Sequence, residues 1–167
     1  MGSAPTNYNS TLSAGTASAS AVFSLAAADG SGAVNGSSVT TLTGTVAEIN
    51  AAIAAMGSAP TNYNSTLSAG SVVATDVTTL AGADGSGAVN GSSVTTLTGT
   101  ATEINAAIAA MGSAPTNYNS TLSGTASASA VSTLAGADGS GAVNGSSVTM
   151  LTGTVTEINA AIAAMGS

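Results

Sequence analysis

Apolar residues follow a helical spacing in one segment that the chain repeats three times. In the first copy Ile49, Ile53 and Met56 stand at positions i, i+4 and i+7, with Ala52 between them. This spacing places the four side chains on one face of an α-helix. The pattern therefore predicts an amphipathic helix with one narrow apolar stripe in every copy.

Residues at both ends of this segment mark where the helix begins and where it ends. Thr45 and Glu48 have the spacing of a capping box, in which each side chain bonds a free backbone N–H of the other residue. Gly57 follows at the position where a left-handed residue ends many helices, and Pro60 prevents continuation. The other two copies repeat the capping pair as Thr100, Glu103, Thr154 and Glu157.

A second helical pattern precedes each of these helices and is shorter. Two apolar residues stand at i and i+3, and a hydroxyl residue two positions earlier is the expected cap. The three sets are Ser20 with Val22 and Leu25, Thr75 with Val77 and Leu80, and Ser129 with Val131 and Leu134. Gly82 and Gly136 weaken this helix by about 1 kcal/mol each relative to alanine, whereas Asp76 suits its first turn.

Short β segments lie before both kinds of helix. Residues 38–43 and 9–13 alternate β-branched or hydroxyl residues with valine or leucine, and turns rich in Gly or Pro bound them. A strand, a helix and then another strand at a regular pitch indicate parallel strands with helical crossovers. We expect the leucines to point under the helices.

The whole chain of 167 residues is an internal repeat. Repeats 1, 2 and 3 are residues 2–56, 57–111 and 112–165, and residues 166–167 begin a truncated fourth copy, so we expect a piece of a longer array. Each repeat divides into two similar half-repeats of 27 or 28 residues. The six half-repeats are residues 2–29, 30–56, 57–84, 85–111, 112–138 and 139–165.

This organisation predicts an α/β repeat solenoid of six stacked strand–helix coils with a parallel sheet. A period of this size is typical of solenoids, in which each unit buries a face against its neighbours. An all-β solenoid is the alternative.

The composition removes most classes of activity. The chain has no Lys, Arg, His or Cys, and seven acidic residues give it a net charge of −7. Phosphate neutralisation requires cations, so we expect no nucleic-acid partner, and no apolar run is long enough for membrane insertion. The usual bases and nucleophiles are missing, and the acids occur singly whereas a glycosidase needs two roughly 5–10 Å apart. We therefore expect no enzymatic activity.

A Gly-rich loop with one aspartate recurs in every repeat. Its oxygen-rich sequence around Asp29, Asp84 and Asp138 makes these residues candidate Ca²⁺ ligands, and no other cofactor is expected. Calcium takes 6–8 oxygen ligands with several carboxylates, so the competing interpretation is a helix end followed by turns. The only tyrosines recur at the repeat starts and are expected to pack between neighbouring coils or chains: Tyr8, Tyr63 and Tyr118.

Two further polar patterns suggest surface roles. An Asn-x-Ser/Thr sequon occurs once in each half-repeat and is a candidate for glycan attachment in a secreted protein. These sequons begin at Asn9, Asn35, Asn64, Asn90, Asn119 and Asn144. A Thr/Ser ladder, with Met150 interrupting the last level, is the candidate binding face of an alternative function, a ligand-binding array for Ca²⁺, carbohydrate or ice. Its pairs are Thr11/Ser13, Thr41/Thr43, Thr66/Ser68, Thr96/Thr98 and Thr121/Ser123.

The repeated wording Gly-Thr-x-x-Glu-Ile-Asn-Ala-Ala-Ile-Ala-Ala resembles repeat tracts of very long bacterial surface and secreted proteins. The resemblance implies an extracellular or cell-surface location and a structural or adhesive role. Together with the repetition and the lack of reactive groups, it favours a structural repeat protein of a fibre, sheath or adhesin stalk. Its expected partner is itself, assembling into a filament through stacked coils.

Overall fold

A computed structural model of the chain describes residues 7–166. Met1, residues 2–6 of repeat 1 and residue 167 of the truncated fourth copy lie outside the described residues. The fold below is therefore that of almost all of the three repeats.

Six helices and eleven strands alternate along the described chain. The helices are α1 (Ala19–Ala28), α2 (Val46–Ala55), α3 (Ala74–Ala83), α4 (Ala101–Ala110), α5 (Ala128–Ala137) and α6 (Val155–Met165). The strands of repeat 1 are β1 (Ser10–Thr11), β2 (Gly15–Ser18), β3 (Val34–Asn35) and β4 (Val39–Gly44). Those that follow are β5 (Asn64–Leu67), β6 (Gly70–Val73), β7 (Val89–Asn90), β8 (Val94–Gly99), β9 (Met111–Ser113), β10 (Asn119–Ser127) and β11 (Val143–Thr152).

The strands form three parallel sheets. Their orders are β1–β3, β2–β4–β5–β7–β9 and β6–β8–β10–β11. Helices alternate with the parallel strands, so the chain has an α/β fold, as predicted. The all-β alternative is wrong.

Strand pairing follows the half-repeats. Within repeat 1, Ser10 pairs with Val34 and Gly15 with Val39. At both boundaries between repeats, the end of one strand pairs with the first strand of the next repeat. The end of β4 pairs with β5, and the end of β8 pairs with β10. The helices also pack more closely within a repeat, as α1 with α2, than across a boundary, as α2 with α3.

The core lies between the strands and the helices. Leu42 and Leu97 of the strands and Ile49 and Ile104 of the helices are fully buried. The leucines therefore point under the helices, as predicted, and their neighbours Thr41 and Thr43 of β4 point to the opposite face. Burial of such side chains stabilises the fold by roughly 1.5–3 kcal/mol each.

Gly57 lies at the C′ position as predicted, but it does not adopt the predicted left-handed conformation. Met56 already has extended backbone angles (φ −78°, ψ 132°), and Gly57 does not adopt a positive φ. Its N–H instead donates to the carbonyl of Val34 at 3.0 Å, so the chain leaves the helix directly into pairing with the preceding half-repeat. That long-range bond replaces the local left-handed cap.

The first-half helices begin earlier than predicted and are ten residues long. Their N-caps are Ser18, Val73 and Ser127 rather than Ser20, Thr75 and Ser129. The first residue of each of these helices is a fully buried alanine. Ala19 lies so close to Gly44 that a Cβ atom added to this glycine would be 3.3 Å from the Ala19 side chain. This packing sets the helix start. Their apolar stripes are buried or half-buried as predicted, and Asp76 lies in the first turn of α3.

The boundary between repeats 1 and 2 is looser than the next one. In repeat 2, residues 68–69 separate the two strands β5 and β6. Repeat 3 has one residue fewer, and the corresponding segment is a single continuous strand, β10. An open groove of about 180 Å³ lies at the first boundary, between Val46 on α2 and Val72 on β6. At the second boundary the side-chain amide of Asn105 donates to the carbonyl of Ala130 at 3.1 Å, which ties α4 to α5.

Candidate functional site

The aspartates of the Gly-rich loops are buried at the ends of the first-half helices. Asp29, Asp84 and Asp138 follow α1, α3 and α5, and at most 2% of each is exposed. Their N–H groups donate to carbonyls one turn earlier, and the glycine after each has a positive φ near 70°. The competing interpretation of a helix end followed by turns is confirmed, and the left-handed glycine occurs here rather than at Gly57.

In each repeat a tyrosine that stands shortly before the first strand lies near the buried aspartate, and a serine of that strand follows two residues later. The Asp84 carbonyl accepts hydrogen bonds from the N–H groups of Tyr63 at 3.2 Å and Gly87 at 3.1 Å. In repeat 1, the Ser10 hydroxyl donates to Oδ1 of Asp29 at 3.2 Å. We call these three groups of side chains the Asp–Tyr–Ser clusters: Asp29, Tyr8 and Ser10; Asp84, Tyr63 and Ser65; Asp138, Tyr118 and Ser120.

Several polar atoms of these clusters are buried without a hydrogen bond from any of residues 7–166. They are Oδ2 of Asp29, both carboxyl oxygens of Asp84, Oδ2 of Asp138, the hydroxyls of Ser65 and Ser120, and the Tyr118 hydroxyl. A buried carboxylate without a partner is costly, and such a group tends to become neutral. The chain has no side-chain cation that could compensate its charge.

The second and third clusters shift the acidity of their aspartate and of their tyrosine. Burial raises the pKa of Asp84 and of Asp138, and a backbone hydrogen bond offsets part of the effect. Burial and the nearby Asp138 charge raise the pKa of Tyr118 to about 12, and the same two causes raise the pKa of Tyr63. Burial therefore penalises the charged form of the Asp84 and Asp138 carboxyl groups.

The candidate calcium ligands do not converge. Within residues 7–166 no three His, Cys, Asp or Glu side chains come close enough to hold a metal ion together. Each cluster has one carboxyl group, whereas calcium sites use several among their 6–8 oxygens. The fold therefore brings no second carboxylate of the described residues to Asp29, Asp84 or Asp138 that would support the Ca²⁺ hypothesis.

The asparagines of the first-half sequons hold the next Gly-rich loop in place. Oδ1 of Asn64 accepts from the N–H of Ala88, and Oδ1 of Asn62 accepts from that of Ser86, both at 3.0 Å. Asn9 and Asn119 make the corresponding bonds in the other repeats. Sequence reasoning missed this role, although two asparagines and a Gly-x-Gly about 24 residues later recur in every repeat.

The second-half sequons make a different, local contact. Oδ1 of Asn35, Asn90 and Asn144 accepts from the N–H two residues later at 3.0–3.1 Å. Asn35 and Asn90 are half-buried, whereas Asn144 is exposed, as are Asn9, Asn64 and Asn119. Attachment of glycans to any of these side chains stays a prediction.

The capping boxes form as predicted. Thr45 N–H donates to the Glu48 carboxylate at 2.7 Å, and Glu48 N–H donates to the Thr45 hydroxyl at 3.2 Å. The bond from Thr45 N–H and a further one from the Thr45 hydroxyl to the same carboxylate at 2.9 Å lower the pKa of Glu48. The two backbone N–H contacts and the same pKa shift recur at Thr100 with Glu103 and at Thr154 with Glu157.

The predicted Thr/Ser ladder is divided by the strand register. Thr43 pairs with Thr66 and Thr98 pairs with Thr121, so two rungs continue across the repeat boundaries. Thr11, however, pairs with Asn35. The ladder is therefore two short pieces with asparagines beside them, and not one flat array of hydroxyls.

The last half-repeat exposes apolar positions that the inner ones bury. Val155 at the start of α6 is 77% exposed, whereas the equivalent Val46 is 5% and Ala101 is 0% exposed. Ile162 and Met150 are more than half exposed as well. We call this surface of α6 and β11 the open face.

Comparison with protein-family models, with curated proteins and with solved structures found no match. None of the helices in residues 7–166 has the length and apolar character needed to cross a membrane.

Proposed function

We propose that this chain is a structural repeat protein that assembles end to end into a fibre, sheath or adhesin stalk at the cell surface or outside the cell. In this proposal its six half-repeats are the stacked coils of a solenoid. The single observation that carries the proposal is the strand pairing across both repeat boundaries, where the end of β4 pairs with β5 and the end of β8 pairs with β10.

The boundaries inside the chain provide the template for the contact. There the end of one β-strand pairs with the first strand of the next repeat, as Thr43 does with Thr66. A second copy of the chain is therefore the occupant that fits the open face.

The composition agrees with a structural role outside the cell. A chain without Lys or Arg offers no cleavage site to trypsin-like proteases. The resemblance to repeat tracts of bacterial surface and secreted proteins points the same way. The lack of cationic side chains leaves strand pairing and apolar burial as the forces of assembly.

Two matched variants test the proposal. Val155→Asp places a charge on the open face, whereas Thr156→Asp places the same charge one residue later, at a position that is exposed in every second-half helix. Both lie in the first turn of α6, where an acid suits the helix dipole.

Assembly of the two variants is followed by light scattering and electron microscopy over a range of concentrations. We expect filaments from the wild type and from Thr156→Asp, and monomers from Val155→Asp. Monomers of the wild type at every concentration would overturn the proposal, and so would equal assembly of both variants.

A further inference from the structure

Repeat 2 differs from the other two repeats mainly in one short segment. Where repeats 1 and 3 share a residue, repeat 2 departs from it at six positions: Ser71, Val72, Val73, Thr75, Asp76 and Ala101. The other repeats have Thr, Ala, Ser, Ser, Ala and Val there. Four of these positions, Ser71, Val72, Val73 and Asp76, line the open groove between repeats 1 and 2. The residues that distinguish repeat 2 are therefore concentrated in the lining of one groove.

The groove is apolar on its inner side. Val46, Leu67 and Val94 line it and are at most 5% exposed. Beside them Val72 is half-buried and Val73 is 46% exposed. A cavity of about 150 Å³ holds one benzene ring, so a groove of about 180 Å³ has room for one compact apolar group.

The corresponding place at the boundary between repeats 2 and 3 is closed. Ala126, the counterpart of Val72, is only 3% exposed. The Asn105 amide donates to the carbonyl of Ala130 across that boundary, whereas its counterpart Asn50 is exposed. Asp76 stands in the position of Ala130. The position whose backbone ties the helices together at the second boundary thus carries, at the first, a carboxylate that lines the groove.

The charges around the groove favour a cation. The first turns of α2 and α3 border it, and a helix N-terminus by itself attracts anions. Both first turns already contain a carboxylate, Glu48 in the capping box of α2 and Asp76 in α3. Because the chain has a net charge of −7 and no cationic side chain, a further anion would be repelled and a cation attracted.

We infer that this groove is a binding site for a small organic ammonium ion that carries one compact apolar group. The apolar group covers Val46, Leu67 and Val72, and the ammonium group pairs with the exposed Asp76 carboxylate. An ammonium group has several N–H donors, and the hydroxyl residue Ser71 lines the same groove. All of these residues belong to one chain, so the site does not depend on the proposed assembly.

Three probes of similar shape test the inference: benzylammonium, benzyl alcohol and benzoate. Each has one aromatic ring, and they are cationic, neutral and anionic. Each is titrated into the isotope-labelled chain at a concentration where light scattering gives the mass of one chain, and dissociation constants are read from backbone NMR signals. Val72-Val73 is the only Val-Val pair in the sequence, so the signals of the groove can be told apart from those of the other repeats.

Two variants with the same change in net charge separate a local effect from a general one. Asp76→Asn removes the carboxylate of the groove and keeps the size of the side chain. Glu157→Gln removes a carboxylate from α6, and glutamine can replace glutamate in a capping box. Light scattering and thermal unfolding check that both variants are folded single chains.

We expect all saturable shifts near residues 71–73, with benzylammonium binding at least about threefold more tightly than benzyl alcohol, the scale of one exposed ion pair, and benzoate binding most weakly. Asp76→Asn should abolish the preference for benzylammonium, and Glu157→Gln should retain it. No saturable shift at the groove, tighter binding of benzyl alcohol or benzoate, or an equal loss of preference in both variants would overturn the inference.

Discussion

The backbone N–H of Tyr63 donates to the carbonyl of Asp84 at 3.2 Å, and this bond brings a buried tyrosine beside a buried carboxyl group. The Asp84 carboxyl oxygens have no hydrogen-bond partner among residues 7–166. Since the chain lacks any cationic side chain, no side-chain ion pair offsets the cost of burying the Asp84 charge. The arrangement links the stability of the fold to pH.

We predict that the protein is more stable in mild acid than at neutral pH. A raised pKa means that Asp84 and Asp138 contribute stability fully below their ordinary value of 3.8, and that the contribution is lost as pH rises through the folded-state pKa. The capping glutamates act in the opposite sense. Their lowered pKa gives stability above the ordinary value of 4.5, which is lost as pH falls below it. Stability should therefore rise from neutral pH into the mildly acidic range and fall again where the capping glutamates become protonated.

Urea denaturation midpoints between neutral pH and the acid range check this prediction. Unchanged salt and a single-chain mass at each pH are the controls, because a smaller net charge also promotes association. A midpoint that falls steadily from pH 7 toward acid would contradict the role given to the two buried aspartates.

The substitution Asp84→Asn should stabilise the protein at neutral pH. It removes a buried charge and keeps the size of the side chain, and the expected gain is roughly 1–3 kcal/mol in the free energy of unfolding. Asp76→Asn is the matched control, because Asp76 is exposed in the first turn of the same helix and suits its dipole. In thermal unfolding, Asp84→Asn should raise the stability and Asp76→Asn should lower it. A loss of stability in Asp84→Asn would show that other groups compensate the charge of the Asp84 carboxylate.

Two glycines of the same repeat should respond oppositely to alanine. A side chain on Gly87 would overlap the carbonyl of Tyr63, whereas one on Gly82 in α3 would meet no atom within 4 Å. We expect Gly87→Ala to cost roughly 3 kcal/mol or more and Gly82→Ala to stabilise the protein by about 1 kcal/mol. Chemical denaturation measures both, and a tolerated Gly87→Ala would mean that the loop is not held against β5.

The capping box of α4 should be separable from ordinary surface effects. Thr100→Ala removes the hydroxyl that accepts from Glu103 N–H at 3.2 Å, and we expect a loss of about 1 kcal/mol. Thr102→Ala, two residues later and exposed, should change stability by less than about 0.5 kcal/mol. Stability is measured by thermal unfolding. Comparable losses of stability in the two variants would contradict a contribution from the capping box.

Features that rest on neighbouring residues could be predicted from the sequence. The pairing of Thr45 with Glu48 spans three positions, and the alternation around Leu42 needs only the period of a strand. Both are confirmed. The α/β class followed from their order along the chain.

Features that rest on contacts between half-repeats could not be predicted in the same way. Gly57 pairs with Val34, and the start of α1 is set by the packing of Ala19 near Gly44. The buried state of Asp84 depends on the strand 20 residues earlier, where Tyr63 and Ser65 lie. In these cases the residue type is compatible with several local structures, and contacts with the neighbouring half-repeat determine which of them forms.

The parallel pairing of successive half-repeats also has a mechanical consequence. Strands of one half-repeat are joined to those of the next by hydrogen bonds, so a pull that separates the two ends loads these bonds in tension and opens the chain one half-repeat at a time. The boundary between repeats 1 and 2, with its groove of about 180 Å³ and its loosely packed α2 and α3, is the place where extension should begin.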